Sequence, residues 1–154
     1  MRVSVLVVGR PRHAGLADAI QDYETRAARY WPLDVIEVKE ESARSTSAEI
    51  VREREAERLL GRLAGESRVV ACDPGGDELD SAAFAALLSK QRDDAQSVSF
   101  VIGGAYGLHA RIRDRASRRL SLAPWTLPHE LARLVLAEQL YRAGTIARGE
   151  PYHK

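Results

Sequence analysis

The chain has 154 residues, 45% hydrophobic and 29% charged, with a formal net charge of +1 and a single cysteine. That length supports one domain, residues 1–154, with a core of its own; the charge balance excludes a polycation, and the lone Cys72 excludes an internal disulfide and suits the reducing cytoplasm. No apolar run reaches the roughly 18 residues of a membrane helix, and Arg10-Pro11-Arg12 follows the first apolar run directly, with no small-residue cleavage site of a secretory leader.

Arg2 to Val8 is β-branched, ends in Gly9 and reads as a strand. His13 to about Tyr30 carries Leu16, Ile20 and Tyr23 at helical spacing, and Pro32 closes it. Leu33 to Val38 reads as a second strand, and Glu40 to Thr46 as a polar connection. Ser47, followed by Glu49 and Ile50, starts a helix to about Ala64 with alternating Arg and Glu on its wet side. Arg68 to Cys72 is a third strand, and Asp73-Pro-Gly-Gly-Asp77 is a turn by composition.

Ser81 to Asp93 reads as a helix with Phe84, Leu87 and Leu88 inward. Val98 to Ile102 is a fourth strand and Leu120 to Leu122 a fifth, separated by a short basic helix from Ala110 to Arg118. Pro128 stands at the start of the last helix, where its missing N–H costs nothing. Strands alternating with helices predict an α/β fold, a mostly parallel sheet flanked by helices.

The last helix lacks a single apolar stripe. At 100° per residue, Leu131, Leu134, Val135 and Tyr141 fall on one side and Leu136 and Leu140 on the other. A helix apolar on both sides is covered on both sides. Glu138 and Arg142 share the first face, four residues apart, where they must pair with each other or meet a partner. Charge is uneven as well: residues 101–154 hold nine Lys/Arg against four Asp/Glu, and residues 1–100 fourteen against eighteen. A basic C-terminal part favours a polyanionic substrate such as RNA, though a solvated face has the same composition.

Ser99-Phe-Val-Ile-Gly-Gly-Ala-Tyr-Gly-Leu-His109 is a strand that stops in glycines, and such strand ends build ligand crevices in α/β folds. The glycines lack the G-x-G-x-x-G spacing of a dinucleotide site and the lysine of a P-loop. His13, His109, His129 and His153 are dispersed and Cys72 has no cysteine partner, so no metal site is spelled. No nucleophile elbow is present. The tail Gly149-Glu-Pro-Tyr-His-Lys154 is too rich in chemistry for an ordinary frayed end.

Together, the Val-Leu-Val-Val-Gly strand, the Val-Ile-Gly-Gly-x-x-Gly-Leu stretch, the Thr-Leu-Pro-His block, the Leu-x-Glu-Gln-Leu-Tyr-Arg-Ala helix and the terminal Pro-Tyr-His-Lys resemble the bacterial 23S rRNA pseudouridine N3-methyltransferases of the SPOUT superfamily. The resemblance spans essentially the whole chain. It implies a C-terminal trefoil knot, a homodimer with no membrane or metal partner, S-adenosyl-L-methionine as methyl donor, and 23S rRNA in the assembled ribosome as substrate. By matching position it implies cofactor binding by Cys72, Gly103, Leu122, Ala123, Pro124, Trp125, Thr126 and Leu127. The family commonly has leucine where this chain has Cys72, and the chain departs from common members at Pro124 and Trp125. Backbone groups of that loop are expected to read the adenine edge.

The donor's methyl is activated by its sulfonium charge, so the protein must chiefly hold nucleophile and methyl in line, roughly 3 Å apart. The imide proton of N3 must also leave, which calls for a base or a cation beside the developing anion. His129, Arg142, Tyr152 and His153 are the candidates, with Lys154 on phosphate. Glu138 with Arg142 is equally compatible with fastening a dimer. Two other readings stay open: a ribosome-associated factor that keeps the fold without turnover, against which the intact glycines and Tyr-His tail argue, and a SPOUT enzyme with a different RNA target. A flavodoxin-like nucleotide hydrolase would need a phosphate loop that Gly9-Arg-Pro-Arg12 is too short to form.

Overall fold

The computed structural model describes residues 1–154. In chain order it contains β1 (Val3–Val8), α1 (Ala14–Ala27), β2 (Leu33–Val38), α2 (Ala48–Leu60), β3 (Arg68–Glu78), α3 (Ser81–Asp93), β4 (Val98–Ile102), α4 (Ala110–Arg115), β5 (Arg118–Ser121) and α5 (His129–Ala147). The five strands form one sheet in the order β2-β1-β4-β3-β5, with every pairing parallel. No helix is long and apolar enough to cross a membrane.

Alternation along the central strands builds two cores, one on each face. Val3, Val5 and Val7 of β1, Val70 of β3 and Phe100 and Ile102 of β4 face α1, α3 and α5. Their neighbours Leu6 and Val8, Val69 and Ala71, and Val101 face Ala56 and Leu59 of α2 and Ile112 of α4. Central parallel strands covered on both faces have to be apolar almost throughout, and all five residues of β4 are buried. β2, at the edge, buries only Val38 fully.

Local chemistry starts the helices. Ser47 accepts the Ile50 N–H at 3.3 Å and Asp80 the Ala83 N–H at 2.7 Å. Two of the dispersed histidines also cap: His13 accepts from Leu16 and His109 from Arg111 through Nδ1. Pro128 occupies the cap position of α5.

Asp73–Asp77 does not turn the chain. β3 runs on to Glu78 with a bulge between Cys72 and Asp77, both of which register with Leu120. A methyl group on Gly76 would lie 2.5 Å from the Arg119 carbonyl carbon. The glycines there admit the backbone of β5, and they mark a bulge rather than a reversal. β5 accordingly begins at Arg118 and ends at Ser121, earlier than the apolar pattern predicts.

α5 packs on α1 and α3. It buries Ala132, Leu136, Leu140 and Ala143, and its Leu140 carbonyl accepts the Trp31 indole N–H at 2.9 Å. Leu131, Leu134 and Val135 stay only half-buried, so one of the two apolar sides is covered within the chain.

Candidate active site

Three strand ends converge on one cavity of about 450 Å³. Cys72, Asp73 and Pro74 enter from β3; Ile102, Gly103, Gly104, Ala105 and Gly107 from β4; and Leu122, Ala123, Trp125, Thr126 and Leu127 from the loop after β5. Pro128, His129 and Ala132, at the start of α5, close it. It lies at the carboxyl ends of the adjacent strands β4, β3 and β5, where open parallel sheets place their ligands.

The glycine loop forms the wall between β4 and α4. Gly107 donates its N–H to the Gly104 carbonyl at 3.0 Å and holds φ +78°, a left-handed turn. A methyl group on Gly103 would stand 2.6 Å from the Gly107 carbonyl carbon, and one on Gly104 would lie 2.8 Å from Glu55 Oε1. These glycines serve the closure of the loop upon itself and upon α2.

Glu55 is 3% exposed, accepts the Glu41 N–H at 3.1 Å through Oε2, and leaves Oε1 without a partner. Burial raises its carboxyl above the ordinary carboxylate range.

No Lys or Arg lines the cavity, and Asp73 is its only carboxylate. Arg119 holds Asp73 from outside at 3.3 Å. The lining therefore offers no cationic side chain to a phosphate and tolerates a cationic ligand with flat, apolar parts. Burial pushes the Cys72 thiol up to about 12, so it stands in the wall as a neutral apolar group. In residues 122–127 no backbone N–H bonds to another protein group. The Ser121 hydroxyl donates to the Ala123 carbonyl at 2.6 Å and braces the start of that loop. Trp125 is 79% exposed at the rim.

Of the residues expected to bind cofactor, Cys72, Gly103, Leu122, Ala123, Trp125, Thr126 and Leu127 line the cavity; Pro124 belongs to the same loop but not to the lining. Asp73 and Pro74 went unread because the bulge looks like a turn in sequence. Gly104 and Gly107 were visible in the glycine motif itself.

The expected catalytic residues do not come together within one chain. His129 lines the cavity. Arg142 lies thirteen residues along the same helix, roughly 20 Å away at 1.5 Å per residue. There it clusters with Glu138, Tyr152 and His153. Glu138 Oε1 accepts from Arg142 Nη2 at 2.6 Å and from the Tyr152 hydroxyl at 3.0 Å, and Arg142 Nη1 lies 3.4 Å from His153 Nδ1. The guanidinium sits 4.8 Å over the Tyr152 ring, which packs 4.6 Å from Tyr141. Burial, then Tyr23 and Glu138, raises the Tyr152 phenol, so it stays a neutral donor. The tail is docked rather than frayed, and its Tyr30–Glu150 hydrogen bond helps to dock it.

Sequence reasoning missed Arg133. It is 7% exposed and bonds Glu24 of α1 at 2.7 Å and Glu37 of β2 at 3.3 Å. Glu130 accepts the Arg12 N–H at 2.5 Å and ties the loop after β1 to the first turn of α5.

The sequence matches the family described as "Predicted SPOUT methyltransferase" over residues 1–153. The chain belongs to the SPOUT methyltransferase family. This SPOUT methyltransferase is 72% identical over 154 residues to the ribosomal RNA large subunit methyltransferase H of Gemmatimonas aurantiaca, with all of both chains covered. It is 46% identical, again over the full length of both, to the protein of the same name from an Anaeromyxobacter species, strain Fw109-5. Among solved structures, its fold is similar to a probable methyltransferase from Bordetella pertussis, with a TM-score of 0.58 at 19% identity, covering 93% of this chain and 94% of that one. It is also similar to a probable methylase family protein from Haemophilus influenzae, with a TM-score of 0.55 at 13% identity, covering 99% of this chain and 70% of that one.

Proposed function

We propose that this SPOUT methyltransferase transfers a methyl group from S-adenosylmethionine to N3 of a pseudouridine in 23S rRNA, on the assembled ribosome in the cytoplasm, as a homodimer. The observation that carries the reading is the cavity at the ends of β3, β4 and β5, whose lining holds a carboxylate, no cation and a loop of unpartnered backbone N–H groups. That donor set fits an adenosyl group joined to a sulfonium and fits a nucleoside phosphate badly. Full-length relatives that carry the name of a ribosomal RNA large subunit methyltransferase support the choice of substrate.

When bound, S-adenosylmethionine supplies an electrophilic methyl group. The backbone of residues 122–127 reads the adenine edge, the neutral Cys72 packs against the adenosyl group, and Gly103 and Gly107 hold the opposite wall. Asp73 places negative charge at the cavity. His129, at the mouth, accepts or relays the N3 proton.

Arg142 is roughly 20 Å from His129 along α5, Tyr152 and His153 cluster with Arg142, and the four do not meet one ligand within one chain. A second copy, seated on the half-buried Leu131–Leu134–Val135 side of α5, brings its own tail to this cavity. There Arg142 stabilises the imide anion, Tyr152 and His153 orient the base, and Lys154 meets phosphate. The return of α5 from the β5 edge of the sheet to pack on α1 supports the reading that the C-terminal part is threaded as a trefoil knot.

The test is mass mapping of 23S rRNA from cells with and without the gene, together with methyl transfer from labelled S-adenosylmethionine to purified ribosomes. Loss of one methyl from a single pseudouridine, restored by the protein, is the expected result. An unchanged rRNA map sinks the substrate assignment, and a protein that does not bind S-adenosylmethionine sinks the cofactor.

A further inference from the structure

We propose that the β5 edge of the sheet carries a docking site for an RNA phosphate backbone, separate from the reaction cavity and built from Arg68, Arg113, Arg118 and Arg119. The inference rests on the RNA-methyltransferase reading and extends it to a surface that the reaction itself does not require.

A cavity of about 670 Å³ lies at this edge, and the four arginines line it with Asp77 as the only acid. Three of them are held in place. Arg113 donates to the Leu108 carbonyl at 2.7 Å, Arg119 donates to the Gly75 carbonyl at 2.9 Å and pairs with Asp73 at 3.3 Å, and Arg118 pairs with Asp77 at 3.2 Å. Arg118 and Arg119 keep 39% and 47% of their side chains exposed, so these contacts orient the guanidinium forks without consuming them. Arg68 is exposed and pairs with no carboxylate. Oriented, half-free guanidinium groups bind phosphate oxygens through paired N–H donors. The floor of the cavity holds the buried Gln91 amide, whose Oε1 has no partner in the chain.

The positive field is local. The chain as a whole is +1, whereas residues 111–119 contain five arginines and one acid, Asp114. Charge on an edge strand also prevents edge-to-edge pairing. That purpose does not account for Arg68, on the interior strand β3, nor for Arg111, Arg113 and Arg115, which lie off the strand. The surface also leads to the reaction site. Arg113 lines a second depression together with Cys72, Asp73 and Pro74, the residues that bring β3 into the reaction cavity. That depression also holds Arg52, Glu49 and Asp73, and through Arg113 it joins the reaction cavity to the arginines at the β5 edge, within reach of an RNA strand with a nucleotide at the cavity. An acidic protein surface has the same sign of charge, but the continuity with a site for an RNA nucleotide favours the nucleic acid.

The experiment compares the wild-type protein with the pair Arg68→Gln and Arg118→Gln, and with Arg2→Gln as control. Arg2 pairs with Asp34 beside β2, at the opposite edge of the sheet. Binding of a 20-base-pair RNA duplex of arbitrary sequence is followed by fluorescence anisotropy across a salt series, S-adenosylmethionine affinity by calorimetry, and KM and kcat on ribosomes. The paired variant is expected to bind the duplex on the order of tenfold more weakly, with the slope of log K against log salt reduced by roughly 0.9 per lost phosphate contact. Its KM for ribosomes rises, while kcat and cofactor affinity hold. The control changes none of these.

Equal slope and equal KM in variant and wild type overturn the proposal. A raised KM with undiminished duplex binding assigns the surface to an acidic protein and also overturns it. Arg68→Gln alone, at an exposed position that lines the cavity, reads the same surface should the pair unfold, and an unchanged slope there is equally decisive. A wild-type protein that methylates no ribosome defeats the substrate reading instead, while the duplex measurement still decides the surface.

Discussion

Gly103 and Gly107 touch backbone to backbone: a methyl group on Gly103 would stand 2.6 Å from the Gly107 carbonyl carbon and 2.7 Å from its oxygen. The contact folds the end of β4 into the wall of the cavity. The two glycines are required for different reasons. Gly103 has no room for a side chain; Gly107 has open space around it but holds φ +78°. Gly103→Ala is expected to displace the loop, cost about 1–3 kcal/mol of stability and lower S-adenosylmethionine affinity at least tenfold. Gly107→Ala is expected to cost about 1–2 kcal/mol through its torsion alone and to weaken the cofactor less. Thermal unfolding and calorimetry on both variants check the contrast.

The distance along α5 between His129 and Arg142 predicts complementation between subunits. A dimer mixed from Gly103→Ala and His153→Ala chains holds one cavity with both defects and one with neither, provided that the tail serves the partner. Co-expressed mixed dimers should then regain up to half of the wild-type rate on ribosomes at a cofactor concentration where each parent is severely impaired. If the tail acts within its own chain, the mixed dimer stays as impaired as its parents.

Glu55 predicts a pH effect on stability. Its folded-state proton affinity is raised by burial. The neutral carboxyl therefore contributes stability that is fully present below the unfolded value near 4.5 and is lost as pH rises through the folded value. Glu55→Gln stays neutral and retains an acceptor for the Glu41 N–H. Urea midpoints of the two proteins should lie close together at pH 4, with the variant the more stable at pH 8. A gap that does not widen with pH refutes the assignment.

Arg133 is a buried cation, with 8% of its side chain exposed, and Glu24 is its nearer partner at 2.7 Å. Glu24→Leu leaves it with Glu37 alone, at 3.3 Å, and is expected to cost about 3 kcal/mol, because an uncompensated buried charge is the costly case. Arg133→Met removes the charge and keeps most of the packing, so its cost should be about 1 kcal/mol. Denaturant unfolding that ranks the two in the opposite order would show that the pair contributes packing rather than charge compensation.

Much of the fold was legible in the sequence. Val98–Ile102 as a strand and Ser81–Asp93 as a helix follow from their apolar patterns, and the structure returns both with the same bounds. The β3 bulge was not legible, because Pro74-Gly75-Gly76 has the composition of a turn and only the proximity of Arg119 shows what the glycines admit. Of the candidate cavity residues, Gly103 was visible in the glycine motif, and residues 122–127 were expected only by position from the family resemblance, from which the chain departs at Pro124 and Trp125. Asp73, Glu55 and Arg133 were not legible, since each takes its meaning from a neighbour far away in sequence.

The sequence by itself determined which segments are strands and helices and how strand and helix alternate, because periodicity and caps are properties of neighbouring residues. Only the tertiary structure decided which strand ends share a cavity, that no cation lines it, and that His129 and the Arg142–Tyr152–His153 cluster stand at opposite ends of one helix. Those are distances between residues far apart along the chain, set by strand order and by the straight rise of α5, and local pattern carries no information about them.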